Sequence, residues 1–257
     1  MRPLFFLELL QNLSMRALLI SDLHLSGTDR STHEKFLAFA RGPARDADKL
    51  YILGDLFHQW LGDAHIRHDP YAAEVARELR AISNAGCKIA LLVGNRDFMI
   101  GKAFCDAIGA RFLDGPTCED FDGQKILLLH GDELCTDDVA YQRARRVLRH
   151  PLFKPAVAPL PFYVREQIAQ SIRRKSTAQK STLSAQIMDV TQTAVNAMFK
   201  LHQVHTMIHG HTHRPSTHVH HVAGETYTRF VLPDWQDSDH YSVWENGALN
   251  DYPFPQK

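Results

Sequence analysis

Charge of one sign is what this sequence most plainly lacks: Lys and Arg total 29, Asp and Glu total 29, and the formal net charge is zero. No global field draws the chain to a polyanion, and no block of like charge is long, so nucleic-acid binding is not expected. Cysteine is scarce. Cys87, Cys105, Cys118 and Cys135 form no CxxC pair and no zinc spacing, and they read as reduced packing residues of a cytoplasmic protein. Long apolar runs are also missing, and without about 18 such residues in a row no spanning helix is expected. The segment MRPLFFLELLQNLS has only Arg2 ahead of its apolar stretch, Glu8 within it and no small-residue cleavage site, which makes it a poor signal peptide. Met15 directly precedes the first strand-like run, so residues 1–14 read as an appendage or a misplaced translation start.

What the chain does have is enough apolar residue, 44% of 257, to bury a full core as one domain over 15–257. It also has 16 histidines, densest between His202 and His221, which makes a metal site worth seeking. ALLISDLHL (17–25), KLYILGDLF (49–57), KIALLVGNRD (88–97) and KILLLHGDEL (125–134) share one pattern: an apolar strand running into polar residues. Such continuous apolar strands indicate a sheet covered by helices. Helical spacing over His33–Ala40 and Tyr71–Ala85 makes the opening order βαβαβ, an arrangement whose functional residues collect at the carboxyl ends of the strands. From about 141 to 201 the texture becomes that of a helical cap insertion. Two Arg-rich stretches flank a Pro-rich turn, followed by Ile187, Val190, Ala194, Met198 and Leu201 at helical spacing. Two further strands are expected, in VHTMIHGHTHRP and TYTRFVL.

The chemistry sits at the strand ends. Asp22 and His24 form D-x-H; Gly54-Asp55, Gly94-Asn95, His130-Gly131-Asp132 and Gly210-His-Thr-His213 complete the set. In extended chain, residues two apart face alike, so Asp22 with His24 and His211 with His213 are expected as paired ligands. Asp55 is the candidate bridge, because each carboxylate oxygen can bind one cation. The mixed N and O donors suit Mn²⁺, Fe or Zn²⁺ better than Ca²⁺. Each piece alone is an ordinary loop feature; five ligand-type motifs all at strand ends point to a metal centre.

That ordered set resembles the calcineurin-like metallophosphoesterases, an α/β fold built as an αββα sandwich. The longer matches SDLHL, LYILGDLF with W-x-G-D, GNRDF, HGDELCTDD, IMDV and HGHTHRP cover about residues 15 to 240. They are similar to the branch of that family acting on UDP-2,3-diacylglucosamine in the lipid A pathway. The resemblance implies two Mn²⁺ ions, one held by Asp22, His24, Asp55 and His213, the other by Asp55, Asn95, His130 and His211. His209 falls outside the pattern and reads as a supporting strand residue. Two such cations, ~3.5–4 Å apart, activate a shared water and clamp phosphoryl oxygens. Attack at the α phosphorus is then implied, giving UMP and 2,3-diacylglucosamine 1-phosphate.

Many relatives carry His where this chain has Arg96. A guanidinium stays protonated, so Arg96 is read as a stabiliser of charge on a phosphate leaving group rather than as a proton donor. Asn95, Arg96, Asp138, Ser176 and His211 match family positions that touch the substrate. Lys180 stands where the family has Asn and Leu183 where it has Lys, and Lys180, one turn from Ser176, is taken to supply the missing cation. The insertion combines apolar positions with Arg143, Arg145, Arg146, Arg149, Arg165, Arg173, Arg174 and Lys175. With the resemblance, this implies an acyl chamber and peripheral binding at the cytoplasmic face of the bacterial inner membrane. No protein partner is inferred. A broader phosphodiesterase or nucleotide pyrophosphatase, and a metal-free scaffold, are the competing readings.

Overall fold

The computed structural model describes residues 15–180, 189–222 and 224–255, and all side chains among them except those of 173 and 175–180. Residues 1–14, with the predicted appendage, and the segment holding Leu183 and Ile187 lie outside the described residues. Strands β1 (Ala17–Ile20), β2 (Lys49–Leu53), β3 (Lys88–Leu92) and β4 (Ala110–Leu113) run parallel in one sheet. The hairpin β10 (His240–Glu245) and β11 (Ala248–Pro253) completes it in the order β11-β10-β1-β2-β3-β4. The facing sheet has the order β5-β6-β7-β9-β8, from β5 (Thr117–Phe121), β6 (Gln124–Leu128), β7 (Thr206–His209), β8 (Ser216–Val222) and β9 (Glu225–Val231).

The period of two along each strand divides the core. Leu18, Ile20, Leu50, Ile52, Ile89 and Leu91 point to the helices α1 (Arg30–Arg41), α3 (Pro70–Asn84) and α4 (Lys102–Ile108). Their alternates Ala17, Leu19, Tyr51, Leu53, Ala90 and Leu92 meet Phe121, Ile126, Leu128 and Ile208 of the second sheet. α2 (His65–His68) is a single turn before α3. Asp29 starts α1 by accepting from the Thr32 N–H at 3.1 Å, and Asp69 with Pro70 starts α3 in the same way. The predicted βαβαβ order is observed, and the fold is an αββα sandwich.

The fourth layer corrects the sequence reading. α8 (Gln192–His202) packs Val195 and Phe199 on Leu127, Leu129 and Met207, covering the outer face of the second sheet. It belongs to the sandwich, whereas α5 (Val139–Leu148), α6 (Phe153–Val157) and α7 (Phe162–Lys180) form the helical elaboration. Of the proposed stripe, Val190, Ala194 and Met198 are partly buried, but Leu201 is 73% exposed. The buried face turns through Val195 and Phe199 instead.

Among the described residues five strands follow α8, not the two expected. β8 is largely exposed and histidine-rich, so apolar alternation does not reveal it. β10 and β11 do carry a sequence signal: Asn246-Gly247, both at positive φ, is the two-residue turn of a tight hairpin. No described helix is long and apolar enough to cross a membrane.

The packing of α8 predicts a contrast measurable by chemical denaturation. Phe199→Ala should destabilise the chain by about 3–5 kcal/mol, as large-to-small changes in a packed layer do. Leu201→Ala should stay within about 0.5 kcal/mol.

Candidate metal centre

Asp22, Asp55, His130 and His211 each lie two residues beyond the end of a strand, β1, β2, β6 and β7 respectively. All four strands deliver their loops to one edge of the sandwich. The loop after β1 is zipped to the loop after β2, the His24 N–H donating to Asp55 O at 2.9 Å and the Leu25 N–H to Leu56 O at 2.9 Å.

The expected reason for convergence, side chains alternating along extended chain, does not apply. Asp22, His24, Asp55, His211 and His213 all have φ between 48° and 69°, the left-handed region. This backbone costs a non-glycine residue roughly 1–2 kcal/mol, and such strain gathers where geometry serves a function. The approach is close enough to demand glycine at two points. A Cβ on Gly94 would stand 2.0 Å from Asp55 Oδ1, and one on Gly210 would stand 2.1 Å from Asp22 Oδ2.

Two groupings result. In the first, Asp22 Oδ1 lies 3.5 Å from His213 Nε2 and 3.9 Å from His24 Nε2, and the two imidazole nitrogens are 3.3 Å apart. In the second, His130 Nε2 lies 3.8 Å from Asp55 Oδ1 and 3.1 Å from Asn95 Oδ1. Asp55 faces both ways, with Oδ2 at 3.8 Å from His24 Nδ1 and Oδ1 toward His130. Asp22 also shares in both clusters, since its carboxylate, that of Asp55 and His130 offer atoms within 4.8 Å of one another. His211 joins the second group, its ring 5.0 Å from that of His130 and its N–H donating to Asp22 Oδ2 at 2.7 Å.

The donor set fits divalent cations. Asp22 Oδ1 and His24 Nδ1 are buried with no hydrogen-bond partner, in the middle of the cluster. Buried polar atoms left without partners are costly, and a cation between them removes the cost. His130 Nδ1 donates to Leu53 O at 2.9 Å, which aims Nε2 at Asp55 and Asn95.

The charges are strongly interdependent. Burial raises the Asp55 carboxyl above the carboxylate range, further than His130 lowers it. Burial works in the same direction on Asp22, but the imidazoles of His213, His130 and His24 beside it hold it well below. Burial depresses His24 to about 3, leaving it neutral with lone pairs available. On His130 burial is outweighed by the Asp55, Asp22 and Asp132 carboxylates, which lift it to about 9.

The other sequence candidates fall in different places. Arg96 donates its backbone N–H to Asp55 Oδ1 at 2.7 Å, and its side chain lines an apolar pocket under the α5–α7 helices with Asn95, Trp60, Phe98 and Tyr141. Among the described residues no ion pair ties it to Asp97 or Asp138. Asp138 starts α5, accepting from the Tyr141 N–H at 2.9 Å. Ser176 and Lys180 lie on the last turns of α7, with side chains outside those described. His209 is buried in β7, its Nε2 facing Arg229 Nη1 at 3.0 Å and its Nδ1 the Gly210 carbonyl at 2.8 Å. Burial and Arg229 press it down to about 3.

Sequence reasoning missed Asp97. Its fully buried carboxylate accepts from the Gly94 and Leu56 N–H groups, each at 2.8 Å, and from Asp55 N–H at 3.3 Å, lacing the Asn95 loop to the Asp55 loop. Its place in GNRD, next to Arg96, was the available signal.

A sandwich whose strand ends converge on carboxylates and imidazoles in this way defines a phosphoesterase class. The family model described as calcineurin-like phosphoesterase matches residues 15–215. Among curated proteins, the chain is 43% identical over 234 residues to a UDP-2,3-diacylglucosamine hydrolase of Aromatoleum aromaticum, covering 91% of this chain and 95% of that one. It is 45% identical over 218 residues to the protein of the same name from Pseudomonas fluorescens, covering 85% and 86%. For that of Pseudomonas aeruginosa the identity is 41% over 241 residues, covering 94% and 100%. The chain belongs to the calcineurin-like phosphoesterase family, and within it to the UDP-2,3-diacylglucosamine hydrolases.

Were His130 to hold a cation, it would first have to release the proton that the Asp55, Asp22 and Asp132 carboxylates favour, having lifted it to about 9. Divalent-cation affinity is then expected to climb with pH between 6 and 8, by up to about tenfold per unit for each proton displaced. Calorimetry in buffers of different ionisation enthalpy should register the released proton; affinity flat across this range would contradict the assignment of His130.

Proposed function

We propose that the chain hydrolyses the pyrophosphate of UDP-2,3-diacylglucosamine, with water attacking the α phosphorus and UMP and 2,3-diacylglucosamine 1-phosphate as products. The observation that carries this reading is the pocket beside the metal centre. Its walls are largely apolar, from Trp60, Phe98, Tyr141, Phe153 and Ile168 among others, and they include Asn95 and Arg96. A phosphate site opening directly into such a cavity suits a substrate that joins a diphosphate to acyl chains. The names of the relatives point the same way.

Asp22, His24, Asp55 and His213 would hold one cation, and Asp55, Asn95, His130 and His211 the other, with Mn²⁺ the metal proposed. When bound, the ions supply Lewis acidity and lower the pKa of water. The chain's own residues do the rest. Asp97 and the Leu53 carbonyl hold Asp55, Asn95 and His130 in register. As the water oxygen bonds to the α phosphorus, the bond to the sugar-phosphate oxygen breaks and the leaving group departs as an anion. Arg96 balances that charge and delivers no proton, which a phosphate does not need. Asp138, Ser176, Lys180 and His211 are proposed to contact the nucleotide or the glucosamine. For Asp138 this use would share a carboxylate already capping α5.

Peripheral attachment to the cytoplasmic face of the inner membrane follows in the same proposal. Val147, Leu152 and Tyr163 are 62%, 70% and 66% exposed on the helical elaboration, alongside exposed Arg143 and Arg146. Apolar side chains ringed by arginine favour an anionic bilayer surface.

Three experiments test the proposal. Purified protein with UDP-2,3-diacylglucosamine and Mn²⁺ should release UMP, and chelator should stop it. Arg96→Ala should lower turnover by about 10²-fold or more, as loss of one charge-stabilising group does, with bound metal unchanged. Release of uridine diphosphate, or full turnover by the variant, would sink the reading. In vesicle flotation, Leu152→Ser with Arg146→Glu should weaken recovery with anionic vesicles, and recovery equal to the parent's would remove the membrane role.

A further inference from the structure

Asp132 follows His130 by two residues, yet it points away from the metal cluster. Its carboxylate is fully buried. Oδ2 accepts from Tyr141 Oη at 2.5 Å and from Arg145 Nε at 2.7 Å, with Arg149 Nη2 at 3.9 Å. Tyr141, Arg145 and Arg149 are spaced by four, so they form one row along α5. From the same helix Gln142 donates to the Asp132 and Cys135 carbonyls at 2.8 and 3.1 Å.

The row reaches further than Asp132. Arg149 donates to the Val93 and Gly94 carbonyls at 3.2 and 2.9 Å, immediately before Asn95. The ring of Tyr141 lies over that of His211, 6.3 Å away and within 26° of parallel. One helix therefore touches all three loops that carry Asn95, His130 and His211. Its adjacent face, Tyr141, Ala144 and Leu148, lines the apolar pocket. Tyr141 belongs to both faces. Besides His130 in its own loop, the buried Asp132 carboxylate takes its countercharge from Arg145 and Arg149, on the helix that walls the pocket.

We propose that Asp132, Tyr141, Arg145 and Arg149 are positioning residues that couple filling of the apolar pocket to the metal centre. An acyl chain packed on α5 restrains the helix, and the row of bonds passes that restraint to the loops of Asn95, His130 and His211. The inference rests on the reading that the pocket takes acyl chains. Coupling between two sites is reciprocal, so a chain in the pocket must tighten metal binding by the same factor as metal tightens the chain.

The test is Mn²⁺ affinity of the full chain with and without saturating N-dodecanoylglucosamine, which has an acyl chain and no phosphate to bind metal. The parent is expected to gain about tenfold in affinity, within the range of ordinary coupling energies. Arg145→Met should reduce that gain to less than about twofold, and Arg145→Lys should restore part of it, since coupling of this size is what the row transmits. Tyr141→Phe, which removes only the hydroxyl, should also reduce the gain and supplies a second variant if Arg145→Met folds poorly. No gain in the parent, or an equal gain in every variant, overturns the proposal; a variant that melts earlier but keeps the gain shows the row to be structural only, and overturns it too. UMP release is measured on the same preparations. A coupled parent that releases none contradicts the proposed substrate and leaves the coupling standing, whereas UMP release with no gain does the reverse.

Discussion

Three carboxylates, those of Asp22, Asp55 and Asp97, are buried together where the strands of the two sheets end. Unpaired negative charge in an interior costs several kcal/mol per group even after relaxation, so the surrounding loops are organised around removing that cost. Asp97 is answered by backbone N–H groups alone. Asp22 is answered by Ser21 Oγ, the His211 N–H and neighbouring imidazoles. Asp55 lies between the two groups of imidazoles, and burial raises its carboxyl, so a divalent cation belongs beside it.

Holding these groups at such range constrains the backbone more than the core does. Five of the proposed ligands occupy left-handed conformations, and two glycines are required by carboxylate oxygens that pass where a Cβ would be. Strain of this kind persists only where the surroundings over-determine it. The hydrogen bonds from the β1 loop to the β2 loop and the Asp97 lacing provide that. The same logic explains why His209, although a neighbour of the ligand loop in sequence, turns the other way. It lies on the outer side of the second sheet with Met207 and Arg229, and its ring nitrogens are committed there.

The helical elaboration brings a second requirement to the same place. Its arginines divide. Arg145 and Arg149 turn inward to Asp132 and the Gly94 carbonyl, and buried Arg165 donates to the Leu61 carbonyl. Arg143 and Arg146 remain exposed. The inward set anchors the helices over the strand ends and leaves an apolar cavity beside Arg96. Shape and electrostatics thus meet at Arg96, whose backbone serves Asp55 while its side chain borders the cavity.

The sequence by itself determined the parallel strands and the helices between them, because β1 to β3 are apolar on both faces and α3 has an unbroken helical period with Asp69-Pro70 at its start. It determined the identity of the proposed ligands as well, since D-x-H, GD, GN, HG and GHTH stand at strand ends whatever the loops do. It did not reveal β8, an exposed edge whose residues carry no apolar alternation, nor that α8 is a sandwich layer, because amphipathicity does not say which surface an apolar face will cover. Which oxygen of Asp55 faces which imidazole, why Gly94 must lack a Cβ, and that Asp97, Asp132 and Tyr141 belong to the site were decided only in three dimensions. Most of those relations join residues far apart in the chain, such as Asp97 with Leu56 and Asp22 with His211, and no local pattern can encode a distance set by the packing of two sheets.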